Sequence, residues 1–219
     1  DEMSCYNEYQ NSWYRKKYEN ARPLKEYTDF IDDMKKERFP IKVKFGLEVC
    51  YSPEHVKDIE NIKNMYSFDF LVGSIHFIDG WAFSHKKQPW RKENYNLDYL
   101  YKRYFELMYE LVASNLFSGL AHPNSLQCFG AYPMSDYDAD YNRIARALKE
   151  NNMYIEENSG LAINYGDTEL GMSEKMLKAM ILQNVQILTA SDAHIPQNVG
   201  KLIYEMNDLI SKAEKEYGG

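Results

Sequence analysis

An α/β fold with parallel strands is what this sequence predicts, and three observations predict it. Short apolar runs alternate with helical patterns along the chain, five strands in all, each followed by a helix. Strict alternation implies parallel strands joined by right-handed crossovers, closed as an α/β barrel or laid out as an open sheet. Metal-type side chains stand at the carboxyl ends of four of those runs, the edge where such folds build their sites. The length of 219 residues suffices for one sizeable core, so a single domain over residues 1–219 is expected.

The first 22 residues are polar and tyrosine-rich without a clear period, as expected of a loop over a barrel mouth. Residues 23–38 read as a helix, with Leu24, Tyr27, Phe30, Ile31 and Met34 at helical spacing and Phe39-Pro40 as the stop. A strand over 41–49 delivers Glu48 near its end, and Ser52-Pro53-Glu54 caps the next helix with a hydroxyl and a first-turn proline. Residues 68–76 form a second buried strand ending in His76. Residues 78–94 read as a long structureless loop, a class of segment that is usually functional. A helix over 97–114 leads to a third strand, 117–122, ending in His122 before Pro123. A helix over 136–151 precedes a fourth strand, 153–158, and a helix over 173–183 precedes the fifth, 185–190, which reads as buried. Residues 198–215 make the last helix.

Composition narrows the function classes. Twenty-six basic against 33 acidic residues leave a net charge of −7 with no dense basic block, so no nucleic-acid partner is expected. Three scattered cysteines without a Cys-x-x-Cys argue for a reducing, cytoplasmic setting and against a disulfide scaffold or thiolate zinc site. No apolar run has the length of a membrane span, so no membrane association is expected. Cys50 and Cys128 read as small apolar residues, neither having an evident base nearby in a triad-like pattern.

The candidate site is assembled from strand ends. Asp192 and His194 lie two apart, and in extended chain such residues project to one side, so a carboxylate and an imidazole would aim at one point. Alone, Asp-x-His also occurs as a surface turn or helix cap. Glu48, His76 and His122 stand at the ends of three further strands, and imidazole with carboxylate is the ligand set of a divalent metal site. Each has a plainer reading: a strand-end carboxylate, a satisfied core histidine, a turn histidine before proline. His55 reads as a surface residue, while His85 and Arg91 in the long loop and Asn158 at the end of the fourth strand are candidates for substrate contact.

Four motifs then carry a resemblance: Gly46-Leu47-Glu48, Gly73-Ser74-Ile75-His76-Phe77, Ala121-His122-Pro123 and Ser191-Asp192-Ala193-His194. In this order and spacing the chain resembles the PHP (polymerase and histidinol phosphatase) family, in its histidinol-phosphatase branch. The resemblance implies a distorted (β/α)7 barrel holding two or three divalent ions, zinc, manganese or iron, that hydrolyses a small-molecule phosphate ester. It puts Glu48, His76, His122, Asp192 and His194 on metal-ligand positions. Glu48 would bridge ions, and Asp192 or a site histidine would protonate the leaving group. The family's first strand carries His-x-His and its second ends in histidine, and no histidine here precedes His55. The expectation is therefore an incomplete barrel, with about five βα units present, the first two missing, and an impaired activity. The edges so left would invite association, a homo-oligomer included. Histidinol phosphatases carry basic residues soon after the third-strand histidine, whereas residues 124–128 have none; Lys86, Lys87 and Arg91 would substitute. Another metal-dependent hydrolase, a nuclease and a non-catalytic remnant are the alternative readings.

Overall fold

The computed structural model of the protein describes residues 24–85, 89–166 and 169–218. Five parallel strands form its main sheet: β1 (Gly46–Cys50), β2 (Phe70–Ser74), β5 (Gly119–Leu120), β6 (Tyr154–Asn158) and β7 (Ile187–Ala190), in the order β1-β2-β5-β6-β7. Sequence order equals spatial order, as right-handed crossovers in one sense require. The helices between them are α1 (Leu24–Met34) before β1, α2 (Val56–Met65), α3 (Leu97–Ala113), α4 (Asp138–Glu150), α5 (Gly160–Tyr165), α6 (Glu174–Leu182) and α7 (Ile203–Tyr217). The expected five βα units and parallel sheet are all present.

Register is fixed partly by a glycine under an aromatic ring. Gly119 pairs with Tyr154 across β5 and β6, and a Cβ on Gly119 would sit 2.4 Å from the Tyr154 ring. Gly46 pairs with Phe70 in the same way across β1 and β2. In each case the missing side chain is what lets the ring lie flat over the neighbouring strand.

The outer helices supply most of the core. Helix α3 buries Leu100, Tyr104, Leu107, Met108, Leu111 and Val112, and α3, α4, α6 and α7 pack in succession. Many of the tyrosines find their place here: Tyr101, Phe105, Tyr137 and Tyr141 stack with ring centroids 5.2–5.7 Å apart. Burying these rings accounts for much of the apolar area removed from water, while Tyr101 donates its hydroxyl to Ala131 O. Helices α3 and α6 are capped by Asn96, which accepts from Tyr99 N, and by Ser173, which accepts from Met176 N.

Several local expectations are corrected. The first strand begins at Gly46, because Ile41 and Val43 are exposed and have no strand partner among the described residues. Ser52 places its hydroxyl on the Glu54 carboxylate and not on backbone, and Pro53–His55 form a 3-10 turn ahead of α2. The segment read as a structureless loop holds a hairpin, β3 (Phe77–Ile78) with β4 (Trp81–Ala82), turned by Asp79-Gly80 with both φ values positive, +48 and +80. Asp-Gly between apolar residues is the two-residue hairpin signal. Trp81, Trp90 and Tyr95 pack on one another beyond it, and the Trp90 indole donates to Phe83 O at 2.8 Å. The fifth strand is not buried: β7 ends the strand order, and Leu188 is 41% exposed. Residues 1–22, Lys86 and Lys87 lie outside the described residues.

Candidate metal centre

The parallel sheet delivers its strand ends to one edge, and a cleft of about 490 Å³ opens there. Glu48 reaches it from within β1, His76 from just beyond β2, His122 from just beyond β5, and Asp192 and His194 from beyond β7. Ser84, Ser125, Gly160, Leu161, Asn164 and Tyr165 complete the lining. Among these described residues there is no lysine or arginine.

Three of the predicted residues meet closely. One Glu48 oxygen lies 2.8 Å from His122 Nε2 and 3.3 Å from His76 Nε2, and the two imidazole rings are 4.9 Å apart. Ligand atoms of Glu48, His76 and His122 all fall within 4.8 Å of one another. His76 is oriented from behind by Ser84 Oγ at 2.9 Å from its Nδ1. Burial works against the Glu48 charge, but the charges and hydrogen bonds of His122 and His76 outweigh it and hold this carboxyl well below the usual range. Burial likewise opposes the His122 imidazolium, and the Glu48 charge overcomes it, raising that pKa to about 9.

The trio fits a divalent ion on two grounds. Two imidazoles and a carboxylate are the mixed donor set such ions take, and Glu48 holds the charge that binding needs. His122 Nδ1 is buried with no hydrogen-bond partner among the described residues, an uncommon state for a ring nitrogen.

Asp192 and His194 form the looser part. His194 Nε2 is 3.4 Å from Asp192 Oδ1, and the His194 side chain is 66% exposed. Burial raises the Asp192 pKa, yet its bond to His194 and the charge of His122 leave it lowered overall. The extended geometry expected for this pair is absent, since Asp192 has φ +47 and turns the chain at the strand end. His122 also has positive φ, +24, directly before Pro123. Strain of this kind costs about 1–3 kcal/mol per residue and persists only where neighbours enforce it.

The remaining sequence candidates sit apart. Arg91 is exposed, His85 is half-buried, and neither lines the cleft. Asn158 is buried, donating to Glu156 Oε2 at 2.8 Å and accepting from Gly160 N at 2.7 Å. His55 pairs with Asp58, away from the cleft. Cys50 and Cys128 are buried, as their apolar reading requires. Sequence reasoning missed Asn164 and Tyr165 on α5, whose one usable signal was Ser159 ahead of Gly160-Leu161. It also missed Glu156, whose carboxylate accepts the His122 backbone N–H at 3.2 Å.

The family model described as PHP domain matches residues 10–160. A protein named probable histidinol-phosphatase from Deinococcus radiodurans is 26% identical over 186 residues, covering 82% of this chain and 66% of the relative. Another of the same name from Schizosaccharomyces pombe is 22% identical over 171 residues, covering 73% of this chain and 56% of the relative. The chain thus spans somewhat under two thirds of the length of these curated relatives. Among solved structures, histidinol phosphate phosphatase from Lactococcus lactis, complexed with zinc, L-histidinol and phosphate, superposes with TM-score 0.65 at 20% identity, covering 88% of this chain and 75% of that one. A putative histidinol phosphatase from Listeria monocytogenes gives TM-score 0.72 at 17% identity, covering 84% and 77%. The fold is therefore that of these phosphatases. No helix among the described residues is long and apolar enough to cross a membrane.

Proposed function

The chain belongs to the PHP domain family, and from that premise we propose that it is a metal-dependent phosphomonoester hydrolase of the histidinol-phosphatase type. The observation that carries the reading is the convergence of Glu48, His76 and His122 at the carboxyl edge of a parallel sheet. The names of the curated relatives, and the zinc, histidinol and phosphate of the Lactococcus lactis structure, support it. Glu48, His76 and His122 would hold the metal, with Asp192 completing its shell. When bound, divalent ions supply water acidified toward neutrality and positive charge for the phosphoryl oxygens.

The chain's own residues do the rest. Glu48, kept ionised by its two histidines, presents one oxygen between both imidazoles. Hydrolysis forms a P–O bond to water's oxygen and breaks the ester P–O bond, and the departing alkoxide takes a proton. His194, at the exposed rim beside Asp192, is the group from which that proton comes, because it is the most exposed of the three site histidines and the most open to refill from solvent. The net charge of −7 and the absence of Lys or Arg among the described lining residues favour a small monoester over an oligonucleotide.

The test is phosphate release from L-histidinol phosphate and a panel of monoesters by protein loaded with zinc or manganese, alongside its metal content. Release from a monoester, with bound metal lost in Glu48→Ala, is the expected result. Metal-loaded protein that frees phosphate from none of them would overturn the reading.

A further inference from the structure

The cleft has two ligand-type residues with positive φ, His122 at +24 and Asp192 at +47. They lie on the strand ends either side of β6. β6 itself contributes no member of the converged trio or of the Asp192–His194 pair, yet hydrogen bonds to both strained residues originate from β6 and the short helix after it. Glu156 Oε2 accepts the backbone N–H of His122 at 3.2 Å, on the face that carries the metal-type groups. The same oxygen accepts from Asn158 Nδ2 at 2.8 Å, and Asn158 Oδ1 accepts Gly160 N at 2.7 Å, fixing the first residue of α5. Gly160 is where Asp192 comes closest: a Cβ there would lie 2.4 Å from Asp192 Oδ2 and 2.8 Å from Asn158 Oδ1. Along α5, Asn164 Nδ2 reaches Asp192 O at 3.4 Å, and Ser159 N donates to Ala190 O at 2.9 Å.

We propose that Glu156 and Asn158 are positioning residues of the metal centre: a chain of hydrogen bonds through β6 holds His122 on one side and, on the other, fixes Gly160, the first residue of α5, against which the Asp192 carboxylate packs. Glu156 is not itself a ligand in this scheme. Its Oε2 is occupied by two N–H donors, and its carboxylate lies outside the trio whose ligand atoms converge. Asn158 is likewise withdrawn from substrate, its amide oxygen and nitrogen both engaged within the protein. The role follows from geometry: a strained residue before proline returns to ordinary backbone once the acceptor of its N–H is removed, and its imidazole moves with it. Groups that orient a metal-binding side chain without touching the metal commonly govern affinity about 10- to 100-fold.

This inference rests on the metal reading above, and Co²⁺ titration of the purified protein, followed by competition with a chelator and by the visible absorption of the bound ion, separates the two. Wild-type protein is expected to bind Co²⁺. Glu156→Ala is expected to bind it about 10- to 100-fold more weakly with an altered absorption band. Glu156→Gln keeps an oxygen for both donors, so its affinity should return to within about threefold of wild type, well short of the ~10- to 100-fold loss of an orienting group. Should Glu156→Ala fail to fold, the isosteric Asn158→Asp carries the test. It replaces a donor by a second carboxylate against Glu156 and should weaken Co²⁺ to a similar extent, with Glu156→Gln in the same molecule restoring it. Three outcomes overturn the proposal. Ala and Asp variants that melt earlier but bind Co²⁺ with wild-type affinity and spectrum would make the chain merely structural. A loss in Glu156→Gln equal to that in Glu156→Ala would make Glu156 a ligand. Failure of wild-type protein to bind Co²⁺ would overturn the metal reading, and this inference with it.

Discussion

The two sides of the cleft are built differently. On the β1–β2–β5 side, Glu48, His76 and His122 are buried or half-buried, within hydrogen-bond reach of one another, and drawn from strands paired on both flanks or backed by α1. On the β7 side, Asp192 and His194 follow the last strand of the sheet order, at a longer 3.4 Å, with the histidine mostly in solvent. The first side is preorganised: its charges are already paired in a low-dielectric setting where a cation inherits a ready carboxylate. The second is open to solvent. The hydrolysis proposed above needs both properties, and this chain assigns them to opposite ends of one sheet.

The comparison breaks most completely at Glu48. Glu48→Ala removes the common partner of both imidazoles, and metal-dependent activity should fall ~10³-fold or more, since losses of merely orienting groups already reach ~100-fold. The electrostatic origin of the closed side is checked by Glu48→Gln in metal-free protein. The His122 pKa is about 9 because the Glu48 charge outweighs burial. With that charge gone, burial and His76 outweigh the smaller pull of Asp192, and NMR titration should find His122 below the ordinary histidine value. A value still near 9 would mean that another group holds the proton. In the native sequence, binding must expel that proton, so metal affinity should climb as pH rises through about 9.

That pH trend must be separated from one that belongs to the fold. Adjacent to Glu156 on β6, Glu157 faces the opposite way and is fully buried, with Oε2 on Met172 N at 2.9 Å and Oε1 without a partner among the described residues. Burial pushes its pKa up to about 7 despite the Met172 N–H. The folded state favours the neutral form, so this contribution is complete below pH 4.5, the ordinary value, and is lost as pH rises through about 7. The integrated loss is roughly 3 kcal/mol. Urea denaturation should show Glu157→Gln more stable than wild type at pH 8 by a sizeable part of that amount, with little difference at pH 4. Equal pH dependence in both proteins would show Glu157 to ionise freely.

How much of this was legible in the sequence depends on what each residue answers to. Glu48, His76 and His122 were readable because each closes an apolar run, and a parallel sheet must present such ends together. The five strands followed from the same runs. The β3–β4 hairpin carries an Asp79-Gly80 signal, but the surrounding tryptophans, lysines and histidine mask so short an alternation. Helix α5 is six residues long, too short for periodicity to emerge. The left-handed turns at His122 and Asp192 are set by tertiary hydrogen bonds, which no local propensity encodes. Glu156 was invisible for the same reason. Two adjacent glutamates in a strand face opposite ways, and only the partners, His122 N for one and Met172 N for the other, distinguish a site residue from a buried acid on the helix-covered face.

Disturbing the contact between the two sides should cost less than removing Glu48. Gly160→Ala places a Cβ 2.4 Å from Asp192 Oδ2 and 2.8 Å from Asn158 Oδ1, so the Asp192 carboxylate must move. A loss of ~30-fold in phosphate release, within the ~10- to 100-fold range of orienting groups, is expected with metal still bound by the trio. Loss of all bound metal in this variant would place Asp192 on the closed side of the comparison.

The smallest effect on stability should come from the most exposed member. His194→Ala removes a side chain that is 66% in solvent, so little stability is at stake. If His194 supplies the leaving-group proton, its removal should cost ~10²-fold in turnover for a poor leaving group such as an alkyl phosphate. For a nitrophenyl ester, whose leaving group needs no proton, the loss should be less than ~10-fold. The same substitution at His76, on the preorganised side, should depress both substrates alike, because it removes metal and not a proton. Equal losses for both esters in His194→Ala would make His194 a ligand of the same standing as His76, and the division of the cleft into a closed and an open side would then be one of exposure alone.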